Sequence, residues 1–220
     1  MNEEKTMQVQ NAPNETQLVE AQQSAALVSG NVWQDKAAFN QLLRASQMLS
    51  QSSLVPQNYQ GKPQDCFIAA EMAARMNTSP IFVMQNLYVV KGKPSWAGQA
   101  CAAMINACGK FRNGKPIYVG QKGTDSRGCY FAAERIEDGE IVEGTEVNMQ
   151  MAKSEGWTSN PKWRNMPEQM LAYRAAAFFA RVHCPEALMG LQTYEEVMDV
   201  QPREKSGAEE LTNALKGEQA

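Results

Sequence analysis

Positive charges and aromatic rings alternate at three places in this 220-residue chain. Tyr88, Lys91, Lys93 and Trp96 fall within nine residues, and Lys110-Phe111-Arg112 and Trp163-Arg164 repeat the pairing. Cations can follow phosphates while ring faces stack on bases, which is the chemistry of single-strand binding. The alternative is that Tyr88, Trp96 and Trp163 anchor a core or an interface. Gly-Lys-Pro occurs three times, at 61–63, 92–94 and 114–116. Glycine permits close backbone approach, lysine offers a mobile charge and proline keeps the chain extended. Three ordinary solvated turns would look the same.

Arg174 and Arg181 stand seven residues apart in a stretch that reads as a long helix. Two turns place them on one stripe, about 10.5 Å apart along the axis. The other faces carry Met170, Leu171, Ala175, Phe178, Phe179 and Val182. An apolar face with a two-arginine stripe suits a helix that floors a groove and holds adjacent phosphates. Salt bridges from both arginines to the acidic 134–155 segment fit the spacing equally well.

Other chemistries are disfavoured. Gly109-x-x-x-x-Gly114-Lys115-Pro116 imitates a P-loop up to its last residue. A P-loop needs Ser or Thr there for Mg²⁺, and must lead from a strand into a helix. Here Pro116 has no hydroxyl, and a β-prone segment follows a helix. Any transaction on nucleic acid is therefore expected to run without ATP. Glu134, Glu137, Asp138, Glu140, Glu143 and Glu146 are spread over strands and turns. A metal nuclease needs carboxylates that converge in a cleft, so these read as a solvated edge that discourages stray sheet pairing. Cys66, Cys101, Cys108, Cys129 and Cys184 form no Cys-x-x-Cys, and His183 is the single histidine. Zinc is not supported, and buried free thiols are the simpler reading. His183, just before Cys184-Pro185, reads as a structural residue or as a charge at a helix end. No catalytic or metal-ligating residue is assigned, and the chain is not expected to be an enzyme.

The elements that must position these residues follow from composition. With 43% hydrophobic residues the chain can bury a core without disulfides or a structural metal. No apolar run reaches the ~18–20 residues of a membrane span, and the start of the chain lacks a signal-peptide pattern, so a cytoplasmic protein without membrane contact is expected. The net charge of −3 is an average. Residues 60–133 carry net +6 and residues 156–185 net +3, flanked by acidic segments. If the two basic blocks share one groove, the chain can hold a polyanion despite its acidic total.

Residues 1–30 read as a flexible arm and 201–220 as a flexible acidic tail, with a weak helical patch at 208–216. Between them, 31–200 reads as the core. Helices are expected at 34–49, at 64–76 with Asp65 as N-cap, and at 97–108 closed by Gly109. Residues 86–91 read as a short strand within a hairpin. Strands at 116–122, 128–136 and 140–147, joined by turn residues, predict an antiparallel three-stranded meander. A short helix is expected at 148–155. The long helix runs from 166 to 182, with Asn165-x-x-Glu168 as a capping-box variant, Pro167 in the first turn and Pro185 as a stop. The class is α+β.

Several segments resemble the RecT family of phage single-strand annealing proteins. They include Ser52-Ser53-Leu54-Val55-Pro56, Tyr59-Gln60-Gly61-Lys62-Pro63, Val83-Met84-Gln85-Asn86-Leu87-Tyr88 and Gly92-Lys93-Pro94-Ser95-Trp96. Ala152-Lys153 through Gly156-Trp157 is similar too. The strongest likeness runs from Lys162-Trp163-Arg164-Asn165-Met166-Pro167-Glu168 through Met170 to Arg181, and Pro185-Glu186 and Gly190 to Val197 close it. Where the family has Ser after Pro-Ser-Trp, this chain has Ala97. The resemblance spans roughly residues 35–200.

It implies ATP-independent binding of single-stranded DNA and annealing of complementary strands in phage-type recombination, with annealed duplex as product. It also implies homo-oligomers, as rings or helical filaments. A phage 5′→3′ exonuclease and a host single-strand binding protein are the expected partners, in the cytoplasm of a bacterial host. No cofactor is required, Mg²⁺ being at most a modulator. The implied fold is a sheet backed by a long helix, related to the eukaryotic single-strand annealing recombinases. The candidate DNA contacts are then Lys91, Lys93, Trp96, Lys110, Arg112, Lys115, Lys122, Arg127, Lys162, Arg164, Arg174 and Arg181. A passive DNA-coating oligomer is the rival from another class.

Overall fold

The computed structural model describes residues 32–90 and 92–199. Lys91, the expected arm at 1–30, the tail at 201–220 and the patch at 208–216 lie outside the described residues. The chain divides into two compact units between Gln85 and Asn86. The class is α+β, with one two-stranded and one four-stranded antiparallel sheet.

In the first unit, helix α1 (Lys36–Ser50) begins where the Asp35 carboxylate accepts from the amides of Ala37 and Ala38, at 2.7 and 3.2 Å. That satisfies two donors a helix start leaves open. Helix α2 (Pro63–Arg75) starts differently from expectation. Lys62 is its N-cap, Pro63 opens the first turn, and Asp65 lies inside that turn rather than capping it. The rings of Trp33, Phe39 and Phe67 form a cluster with centroids 5.1 to 6.0 Å apart. Helix α3 (Pro80–Asn86) follows. Its Ile-Phe-Val centre has little helical preference, but Ser79 before Pro80 is a helix-start signal, and the Ser79 hydroxyl accepts from the Ile81 amide at 3.2 Å.

The second unit opens with a hairpin of β1 (Leu87–Val90) and β2 (Lys93–Trp96), paired from Leu87↔Trp96 to Val90↔Lys93. Helix α4 (Gly98–Ala107) leads into β3 (Phe111–Val119), which begins five residues before the expected strand. A bulge between Arg112 and Lys115 explains the misreading, because it breaks the alternation of side chains. Asn106 of α4 fits into this bulge. Its side chain accepts from the Gly114 amide at 2.7 Å and donates to the Gly114 carbonyl at 3.1 Å. The third Gly-Lys-Pro thus lies inside a strand, the second at a hairpin turn and the first at a helix start, so the three copies share no structural role.

Strand β4 (Gly128–Arg135) is the centre of the larger sheet. It pairs with β3 on one side, and with β5 (Ile141–Glu143) and β6 (Val147–Asn148) on the other. The segment expected as one third strand is thus two short ones. After β6 come α5 (Met149–Ser154) and α6 (Lys162–Asn165). Helix α7 (Pro167–His183) is the long late helix, and it packs on β4 and α4. Ala175, Ala176, Ala177 and Ala180 let it approach closely, and Phe179 meets Phe111 and Phe131 at 5.1 and 5.3 Å between centroids. Burying each such ring contributes about 1.5–3 kcal/mol.

The expected capping box does not form. Met166 is the N-cap of α7 without a side-chain bond, and Glu168 turns to two cations instead. At the other end His183 stacks on Phe179, 4.6 Å between centroids. Burial, with a contribution from Arg135, lowers its pKa. Of its two sequence readings the structural one fits, because a proton there is disfavoured. Helices α8 (Pro185–Leu188) and α9 (Tyr194–Asp199) complete the unit. Among the described residues no helix is long and apolar enough to cross a membrane.

Candidate nucleic-acid interface

Both arginines of α7 are partnered within the protein, Arg174 buried and Arg181 still exposed. Arg174 is 6% exposed, and its guanidinium pairs with Asp199 of α9, which is itself buried. The Trp157 ring covers Arg174 at 3.9 Å from the centroid. Asp199 also accepts from the Trp163 indole and the Asn160 amide, each at 2.9 Å. Burial lowers the Arg174 pKa, and the guanidinium nevertheless keeps its charge. One turn earlier on α9, Glu196 accepts two bonds from Arg181 at 2.8 and 2.6 Å. Burial alone would raise the Glu196 carboxyl, but Arg181 and the Thr193 amide outweigh it and hold it below its ordinary range. Both arginines are thus partnered by α9, not by the acidic 134–155 segment.

The same short helix fastens the start of α4. Glu195 accepts from the Gly98 amide at 2.8 Å. A Cβ at Gly98 would lie 2.7 Å from that carboxylate and 2.9 Å from the Tyr173 Cβ, so only glycine fits. Trp96 is 0% exposed, and its indole donates to the Leu188 carbonyl at 3.0 Å. It is a core anchor and offers no face for stacking, the alternative left open by its sequence. Trp163 is likewise buried.

The remaining sequence candidates fall into separate places. Lys93 is exposed on β2. Lys110 pairs with Glu186 at 2.7 Å, and Arg112 with Glu134. The Arg112 hydrogen bond holds the Glu134 carboxyl below its usual range. Lys115 borders a hollow on the open face of the sheet, together with Tyr130 and Glu143. These four cations do not converge on one surface feature.

Lys122, Arg127 and Arg164 do converge. They line a groove of about 680 Å³ between the 120–127 loop and the segment joining α6 to α7. Lys153, which the residue pattern does not single out, is the fourth cation, projecting from α5. The loop depends on Gly120, whose φ is +70° and whose Cβ position lies 1.8 Å from the Ser126 carbonyl oxygen. No other residue permits that closure.

Two carboxylates share the groove. Asp125 pairs with Lys153 at 2.6 Å. Glu168 accepts from Arg127 at 2.6 and 3.1 Å and lies 3.3 Å from Lys122. Hydrogen bonds from Arg127, then Lys122, hold the Glu168 carboxyl below its ordinary range. Arg127 is further fixed by the Gly120 carbonyl at 3.2 Å and the Tyr118 ring at 5.0 Å. Lys122 is 79% exposed at its side chain and can leave Glu168 for an incoming anion.

A second hollow, about 450 Å³, adjoins the groove and shares Met166 and Gln169 with it. Its walls include Tyr88, Tyr173 and Tyr194, with Lys162 at the rim. Tyr88 and Tyr194 stand 5.8 Å apart between centroids, and the Lys162 ammonium lies 5.2 Å from the Tyr194 ring. Among the described residues no three His, Cys, Asp or Glu side chains are grouped to hold a metal ion. No protein-family model, curated protein or solved structure matches this chain.

Proposed function

We propose that this chain binds single-stranded DNA and anneals complementary strands without ATP, in the manner of the RecT-type proteins it resembles. The observation that carries this reading is the groove in which Lys122, Arg127, Lys153 and Arg164 outnumber Asp125 and Glu168. Cations from both basic blocks of the sequence meet there. Neutralising phosphates lets two strands approach despite their repulsion. Holding backbone rather than base edges leaves sequence discrimination to pairing itself. No covalent step is part of this function, and no cofactor is required, with Mg²⁺ at most a modulator.

On the same reading the sheet backed by α7 belongs with the eukaryotic single-strand annealing recombinases. The protein works as a ring or helical filament, because one short groove per subunit gains its hold through multivalency. A phage 5′→3′ exonuclease supplies the strands in the cytoplasm of a bacterial host, alongside the host single-strand binding protein. The test is annealing of labelled complementary oligonucleotides without nucleotide. Acceleration over the spontaneous rate is expected. Retarded pairing would favour a passive coat, and an absolute need for ATP would overturn the reading.

A further inference from the structure

We infer that the tyrosine-walled hollow beside the cationic groove takes one unpaired nucleobase, and that this makes the site selective for single strands. The inference rests on the DNA-binding reading and adds to it a base site and a basis for discrimination. Tyr88, on β1, is 46% exposed and lines the hollow. Lys93 lies on the same face of the hairpin, since alternate residues of paired strands share a face and Tyr88 is opposite Ser95. Tyr194 and Tyr173 come from α9 and α7, so three separate elements bring a ring to one hollow. Its volume of about 450 Å³ exceeds that of a single base.

Two features point to a base rather than to another apolar group. Met166 and Gln169 border both the hollow and the cationic groove, so a strand whose phosphates follow Lys122 and Arg164 runs beside the hollow. Lys162 stands at the rim, placed to meet the phosphate of the nucleotide whose base has entered. A base already paired in a duplex cannot leave its partner without losing stacking and hydrogen bonds, so only an unpaired base enters freely. The groove attracts any polyanion; the hollow separates single from double strands.

The experiment measures binding of an oligothymidylate, an abasic oligomer of equal length and a duplex, by fluorescence anisotropy, to the full chain and to variants Tyr88→Leu and Tyr88→Phe. Leucine keeps apolar contact with Tyr194 but removes the stacking face. Tyr88→Leu is expected to weaken oligothymidylate binding about tenfold and leave abasic and duplex binding unchanged. Tyr88→Phe should retain wild-type affinity for all three. If Tyr88→Leu leaves oligothymidylate binding intact, or weakens abasic binding equally, the base site is overturned while DNA binding stands. If the wild-type chain binds none of the three, the DNA-binding reading falls and the base site with it. Matching thermal melts show that Tyr88→Leu is folded; should it unfold, Tyr194→Leu carries the same expectations.

Discussion

Arg174 and Asp199 form an ion pair enclosed by protein, with Trp157 lying across the guanidinium and Trp163 donating to the same carboxylate. Charges removed from water in this way persist only when every partner is present. Arg174→Ala would strand a buried carboxylate, and a loss of about 3–5 kcal/mol is expected. Urea denaturation of the variant measures it. A loss below about 1 kcal/mol would show that the pair does not hold α9 to α7. Any effect of Arg174→Ala on DNA binding should follow the unfolded fraction.

The groove cations behave differently. Lys122 and Arg164 are exposed, so replacing both with alanine should change stability by less than about 1 kcal/mol. If each meets one phosphate, the log–log salt dependence of single-strand binding should flatten by about 1.4, at ~0.7 per contact. An unchanged slope in a salt titration would remove both residues from the interface.

Glu168 pairs with Arg127 and Lys122, the cations that an incoming phosphate would need on the DNA-binding reading. Glu168→Gln keeps the shape of the side chain and removes its charge. Affinity for single strands should rise severalfold at low salt, with the gain fading as salt screens the groove. Weaker binding by the variant would mean that Glu168 serves mainly to hold Arg127 in position.

Much of this architecture is legible in the residues. Pro167, the apolar faces between Met170 and Val182, and Pro185 bound the long helix to within one residue of its observed start and end. The partners of its arginines are not legible. Asp199 lies 25 residues from Arg174, on a six-residue helix too short to show a period. Spacing places two arginines on one stripe but does not say whether that stripe meets solvent or another element. Lys153 was hidden for a similar reason, since only the approach of α5 to the 120–127 loop brings it to the groove. The β3 bulge hid the start of its strand, and Trp96 kept two readings until the Leu188 carbonyl appeared against its indole.

Burial raises the pKa of the Cys101 and Cys184 thiols to about 12 and that of Cys129 to about 11, and raises that of Cys66. A thiol held protonated does not alkylate readily. Cys108 is half-buried and the most accessible of the five. Iodoacetamide at pH 8 should therefore modify native protein first at Cys108, and urea-unfolded protein at all five. Peptide mass spectrometry reads the order, and labelling of Cys101 as fast as Cys108 would contradict the packing of α4 against α7.

His183 has its pKa lowered in the fold, so the unfolded chain takes up its proton first. Its contribution to stability is complete above the unfolded value of about 6.5 and is lost as pH falls below it, levelling off once the folded form also protonates. Melting temperatures of wild type and His183→Phe should diverge on acidification from pH 7 to 5, with the wild type falling further. Parallel curves would place the imidazole in water rather than against Phe179.

Asn106 occupies the edge of β3 at Gly114 as a neighbouring strand would, meeting both the amide and the carbonyl, and two residues on Pro116 has no amide to offer. A strand from outside finds little there to bind. At the local concentrations of proteins crowded side by side along one polymer, an open sheet edge is a template for pairing between chains. Closing this stretch of the β3 edge from within removes one place where neighbouring chains could join strand to strand.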